Sequence, residues 1–263
     1  MFKRTLSAAL LSLLMACTTV PITGRSQLSL VPEAEMQQMS FQQYKEVIAK
    51  EKLSTDAAAT RQVKTVGQRI QRAVESYMSQ NNLSQELAGF QWEFNLLDSK
   101  EVNAWCMPGG KVAVYTGILP VMKDETGMAV VMGHEIAHAI AKHSNERASQ
   151  AMVAQGLGSS LQALAGQNPT TAKNVFLGAV GVGSQLKMLS FGRNQESEAD
   201  RLGLIFMAMA GYDPRAAPAF WERMAAQSGG GAPPEFLSTH PSDQSRIADI
   251  NARMNEALGY YKK

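Results

Sequence analysis

The pentapeptide His134-Glu135-Ile136-Ala137-His138 carries the sharpest chemistry in this 263-residue chain. On a helix, residues four apart share a face, so both imidazoles can reach a single Zn²⁺ at about 2.0–2.1 Å while Glu135 stands toward the metal's open position. Val130, Val131, Ile136, Ala137 and Ile140 around the motif predict a buried helix that holds the pair rigid. Asp124 and Glu125 mark its start, where the helix dipole favours negative charge. Two imidazoles do not complete a catalytic zinc site, which takes three protein ligands and one open position. A histidine six residues after His138 would be one source of the third, but that position is Ser144. His143 is expected in the last turn of the motif helix, favoured there by the C-terminal dipole.

A second predicted helix carries Glu196-Ser197-Glu198-Ala199-Asp200. Glu196 and Asp200 are four apart, so one carboxylate can bind metal while the other accepts the outer N–H of a metal-bound histidine. Glu198 points away by about 160–200° and is expected to be a surface or structural carboxylate, paired with an arginine.

The elements that position these groups follow from periodicity and punctuation. Helices are predicted over 33–52 and 56–80, the second from Val63, Val66, Ile70, Ala73, Val74 and Tyr77. Residues 90–97 alternate as a strand, and 101–107 and 111–116 form two short β-prone runs around Pro108-Gly109-Gly110. The first of these runs can serve as an edge strand whose backbone pairs an extended substrate, at Asn103, Ala104 and Trp105. Beyond the motif, helices are predicted over 145–166, 170–186, 194–210, 214–226 and 242–258.

Composition narrows the class. With 45% hydrophobic and 18% charged residues, the chain is globular rather than disordered. Lys3, Arg4 and the apolar run 6–16 have the layout of a signal peptide over residues 1–16, and Leu14-Met15-Ala16-Cys17 resembles a lipobox with Cys17 as the lipidation site. Without Lys3 and Arg4 the balance is 23 basic (25 minus 2) against 23 acidic residues, so no basic footprint for nucleic acid is expected. Residues 17–32, with Pro21, Gly24 and Pro32, read as an acylated tether able to add a strand or wrap the body, and 33–263 as the catalytic domain. If Cys17 carries lipid, Cys106 stays a free thiol.

Several further pieces are Val102-Asn103-Ala104-Trp105, Tyr115-Thr116-Gly117, Arg193 ahead of the acidic pentad, and Thr239-His240-Pro241 with Arg246-Ile247. Together with the HExxH motif they resemble the gluzincin zinc metalloendopeptidase family that includes HtpX, Oma1 and the CAAX prenyl endopeptidase. Residues 18–25 add a likeness to its soluble periplasmic lipoprotein members, such as LoiP and the catalytic domain of BepA. The resemblance implies an α+β, mostly helical, zincin-like metalloprotease domain with a small β-sheet and an HExxH active-site helix. It implies one Zn²⁺ per chain held by His134, His138 and Glu196, with Glu135 as general base and Asp200 behind a histidine ligand. His240 has two candidate roles: a fourth ligand that keeps the enzyme latent, or a donor that stabilises the oxyanion. The expected substrates are misfolded or unassembled envelope proteins, met at a bacterial envelope membrane that the lipid anchor reaches. Thr18 after the acyl cysteine points to the outer membrane, facing the periplasm. The alternative is an assembly or chaperone-like factor with a largely latent zinc site.

Overall fold

The computed structural model describes residues 17–154, 175–176, 179, 192–227, 235–240 and 244–262. The architecture is α+β and mostly helical, with two small sheets among the described residues. Its axis is the HExxH helix, Glu125–Ile140. Asp124 caps that helix by accepting from the Gly127 N–H at 2.9 Å, and every residue from Gly127 to Ile140 is buried. A helix apolar on all sides needs neighbours all round. The helices Ala57–Gln80, Arg193–Met209 and Ala216–Ala226, with one strand of the larger sheet, supply them.

The tightest of these approaches sits one residue from the first motif histidine. A Cβ placed on Gly203 would lie 2.9 Å from the His134 backbone nitrogen, and one on Gly133 would lie 3.0 Å from the Gly203 carbonyl oxygen. Glycine on both helices lets the motif helix and the acidic helix meet backbone to backbone. Their functional side chains are therefore set by main-chain contact.

Ala57–Gln80 starts at Asp56, whose carboxylate accepts from the Ala58 and Ala59 N–H groups, and its three- and four-residue apolar rhythm is buried as the sequence predicts. The larger sheet has the order β3-β5-β4, from Glu93–Leu97 (β3), Ala104–Met107 (β4) and Lys111–Tyr115 (β5). β4 and β5 are antiparallel, with Trp105 opposite Ala113. Gly109 and Gly110 in their turn have φ of +83° and +86°, where an L side chain is strained. β4 is the edge strand nearest the motif helix.

Residues 17–32 wrap the body. Cys17–Thr19 (β1) pairs with Ser26–Leu28 (β2) in an antiparallel hairpin, and Val20 is buried in the main core. Cys17 is exposed and Cys106 is buried, both as free thiols. No helix among the described residues is long and apolar enough to cross a membrane. Of the helix predicted over 145–166, the described part runs His143–Ala154, and the one predicted over 170–186 lies almost wholly outside the described residues. The remaining predicted helices appear as Arg193–Met209, Ala216–Ala226 and Gln244–Leu258, with a short addition at Glu235–Thr239.

Candidate metal centre

One turn of the buried motif helix separates His134 from His138, and their Nε2 atoms lie 3.0 Å apart. The acidic helix brings Glu196 to both, with Oε2 3.6 Å from His134 Nε2 and Oε1 3.3 Å from His138 Nε2. His240 enters from the end of Glu235–Thr239, its Nδ1 2.9 Å from Glu196 Oε1 and 3.2 Å from His134 Nε2. Four buried side chains thus place a ligand atom within 4.8 Å of one another, an arrangement able to hold a metal ion. Two ligands at about 2.0–2.1 Å from a tetrahedral zinc lie about 3.3 Å apart, so the observed spacings suit that ion. Glu196 Oε2 and Glu135 Oε1 are buried and accept no hydrogen bond among the described residues, although Arg246 Nη1 lies 2.9 Å from the former. A buried carboxylate oxygen without a donor, Glu135 Oε1, beside the Glu196 carboxylate fits a site that takes a cation.

Protonation favours the same use. Burial holds both His134 and His138 below the ordinary imidazole value, so they are neutral bases. Burial pushes the Glu196 and Asp200 carboxyls up, but for Glu196 the neighbouring His240 and Arg246 win and hold it well below the usual carboxylate range. For Asp200, Arg246 and the hydrogen bond from His134 do the same. Glu135 goes the other way: burial raises it to about 7, Glu196 adds to that, and His240 and Arg246 oppose it. Its carboxylate accepts from the Cys106 backbone N–H of the edge strand, and its Oε1 is 3.4 Å from His240 Nε2.

Around this cluster lie the groups that orient it. His134 Nδ1 is 2.9 Å from Asp200 Oδ1, and Arg246 grips that carboxylate with Nη2 at 2.7 Å and Nε at 2.8 Å. The Arg246 guanidinium also stacks 3.4 Å above the Trp221 ring. On the other side, His143 corrects the sequence expectation. The motif helix stops at Ala141 because Lys142 takes φ of +58°, and His143 opens the next helix rather than closing this one. The turn folds it back, fully buried, with Nδ1 2.8 Å from His138 Nδ1 and Nε2 3.0 Å from Glu198 Oε2. Glu198 does point away from Glu196, but into the protein: it is buried and accepts from Thr23 Oγ1 and from Arg25 Nε at 2.8 Å.

His134, Glu135, His138, Glu196, Asp200 and His240 therefore meet in one place. Asn103, Ala104 and Trp105 are buried, and along their strand the Ala104 N–H donates to Asn103 Oδ1 at 2.9 Å while the Phe236 N–H reaches the Val102 carbonyl at 3.3 Å. Cys17 stands apart from the cluster, on the hairpin. Sequence reasoning missed His143, Arg25 and the gripping role of Arg246; the signal for Arg25 was the Thr23-Gly24-Arg25 turn, and no local pattern marks the other two.

Known proteins are similar to this chain along most of its length. A mitochondrial metalloendopeptidase OMA1 of Arabidopsis thaliana is 36% identical over 198 residues, 74% of this chain and 38% of the relative. The metalloendopeptidase OMA1 of Bos taurus is 30% identical over 251 residues, 90% of this chain and 46% of the relative. The beta-barrel assembly-enhancing protease of Escherichia coli K12 is 29% identical over 245 residues, 90% of this chain and 47% of the relative. The chain thus spans about half or less of the length of these relatives. Residues 64–254, which hold the motif helix, the acidic helix and His240, match the profile of peptidase family M48, whose members use zinc, and the chain belongs to that family.

Proposed function

We propose that the chain is a zinc-dependent endopeptidase of a bacterial envelope, tethered by lipid on Cys17 to a membrane, the outer one facing the periplasm, and acting on misfolded or unassembled envelope proteins. The observation that carries this reading is the buried set His134, His138 and Glu196 beside a Glu135 carboxyl poised at about 7. Zinc held there supplies a Lewis acid and lowers the pKa of water to about 7. Glu135 takes a proton from the attacking water and hands it to the leaving amine, which needs a carboxyl able to exist in both forms near neutrality. Asp200 keeps His134 turned toward the cluster through its Nδ1–H. Edge strand β4 pairs the extended substrate through its backbone, which suits unfolded chains of varied sequence. The name of the E. coli relative, a beta-barrel assembly-enhancing protease, supports unassembled barrel proteins as one substrate class.

His240 favours a latent form of this enzyme. Its Nδ1 lies among the ligand atoms, where a fourth protein ligand closes the position that water needs. Purified full-length protein should bind one zinc per chain and cleave casein or an unfolded outer-membrane protein in a chelator-sensitive way, and His240→Ala should cleave faster. Slower cleavage with zinc retained would assign His240 to transition-state stabilisation. Zinc bound with no cleavage by either form would favour the assembly-factor reading. Cys17→Ser should abolish incorporation of labelled fatty acid; unchanged acylation would remove the lipid anchor from the account.

A further inference from the structure

Arg25 lies in the turn of the N-terminal hairpin, far in sequence from every group of the metal centre. Its guanidinium nevertheless ties together the two helices that flank His138. Nε donates to Glu198 Oε2 at 2.8 Å, while Nη1 and Nη2 donate to the two oxygens of Glu146 at 2.9 and 2.8 Å. Glu146 stands on the helix that His143 opens, and Glu198 on the acidic helix. The planar fork therefore fixes the gap that the His143–Glu198 contact must bridge.

We propose that Arg25 is a positioning residue of the metal centre, acting through Glu198 and His143 on His138. The inference rests on the reading that His138 is a zinc ligand. A carboxylate only accepts, so Glu198, already taking bonds from Thr23 and Arg25, requires the proton of His143 on Nε2. The lone pair of His143 is then on Nδ1, and His138 must donate its Nδ1–H across the 2.8 Å contact. That leaves the Nε2 lone pair of His138 facing Glu196 and His134. The direction of the whole chain of donors is set at its carboxylate end. Arg25 holds that end in register, and it belongs to the stretch that begins at Cys17, so the tether supplies part of the metal site's surroundings.

The test is a double-mutant cycle on zinc affinity, read by chelator competition in the full-length protein well below its melting temperature. Arg25→Ala should weaken zinc binding about 10-fold, the low end for loss of a group that orients a ligand. Glu198→Ala should weaken it at least as much, and the Arg25→Ala/Glu198→Ala double variant no more than Glu198→Ala alone. Arg25→Lys keeps the charge without the fork and should fall between wild type and Arg25→Ala, which keeps the test open if the alanine variant folds poorly. The ¹⁵N imidazole spectrum of the zinc-free wild type should show His138 with its proton on Nδ1, and that signature should be lost in Arg25→Ala. Unchanged zinc affinity in both Arg25 variants, or additive losses in the cycle, would overturn the proposal while leaving the zinc site standing. A wild-type protein that binds no zinc would overturn the reading beneath it.

Discussion

Through its Nδ1, His134 reaches a carboxylate in one step, whereas His138 reaches one through its Nδ1 in two. The first arm runs from His134 Nδ1 to Asp200 at 2.9 Å and on to Arg246 at 2.7 Å, every member buried. The second runs from His138 to His143 at 2.8 Å, to Glu198 at 3.0 Å and to Arg25 at 2.8 Å, where the outermost side chain is 26% exposed. Both place an acceptor behind the outer nitrogen of a histidine. The difference follows from the crossing of two helices. Gly133 against Gly203 brings His134 onto the face that carries Glu196 and Asp200, while His138, one turn farther on, is passed to His143 after the Lys142 turn. The direct arm lies within two helices and a partner arginine, and the indirect one needs four separate stretches of chain.

The largest effect should come from the carboxylate that stands between the arms. Glu196→Ala should lose bound zinc on dialysis, whereas Glu198→Ala should keep it at saturating metal. Elemental analysis of the two proteins decides this, and zinc lost from the second alone would reverse the ligand assignment.

Breaking the direct arm should cost more stability than breaking the indirect one. Asp200→Ala leaves the Arg246 guanidinium buried without its main counter-charge, which destabilises by about 3–5 kcal/mol. Arg25 is partly exposed, and without it Glu198 keeps His143 and Thr23 as donors and Glu146 keeps Gln195, so Arg25→Ala should lie well below that in urea unfolding of zinc-free protein. Equal losses would mean that the second arm is as closed to solvent as the first.

Gly203→Ala tests the crossing itself. Its Cβ would stand 2.9 Å from the His134 nitrogen and 3.0 Å from the Gly133 carbonyl carbon, all backbone, so the helices must part. A loss of about 1–3 kcal/mol is expected, with weakened zinc binding because His134 moves away from Asp200. A stability loss with unchanged metal affinity would separate the crossing from the site.

The smallest expected effect concerns pH. Burial pushes Glu146 up, but hydrogen bonds from Arg25 and Gln195 outweigh it and hold the carboxyl below its ordinary value. Such a group stabilises the fold above its unfolded value, about 4.3, and the contribution is lost as pH falls through the folded one. In zinc-free protein, the stability gap between wild type and Arg25→Ala should therefore be about 1 kcal/mol or less at pH 7 and should shrink below pH 4. A gap that widens on acidification would contradict the pairing.

The two arms also mark what could be read from the sequence. Glu196 and Asp200 are legible because helical spacing alone puts them on one face, and the HExxH pair is legible for the same reason. The cap at Asp124, the rhythm of Ala57–Gln80 and the glycine turn between β4 and β5 are equally local. His143 was misplaced because the positive φ at Lys142 has no signal in a residue type that seldom takes it. Glu198 was correctly turned away from Glu196, yet periodicity says nothing of what a face meets, and here it meets a hairpin 173 residues earlier. Arg246 was visible only as part of a resemblance, since its contacts with Asp200 and Glu196 depend on the packing of the last helix.

The most direct test of the central claim is Glu135→Gln, assayed for zinc and for peptide hydrolysis beside the wild type. The ligands are untouched, so both proteins should hold one zinc per chain, while hydrolysis falls by at least about 10²-fold, the lower end for a general base. Near-normal turnover with one zinc bound would remove Glu135 from the chemistry and contradict the account.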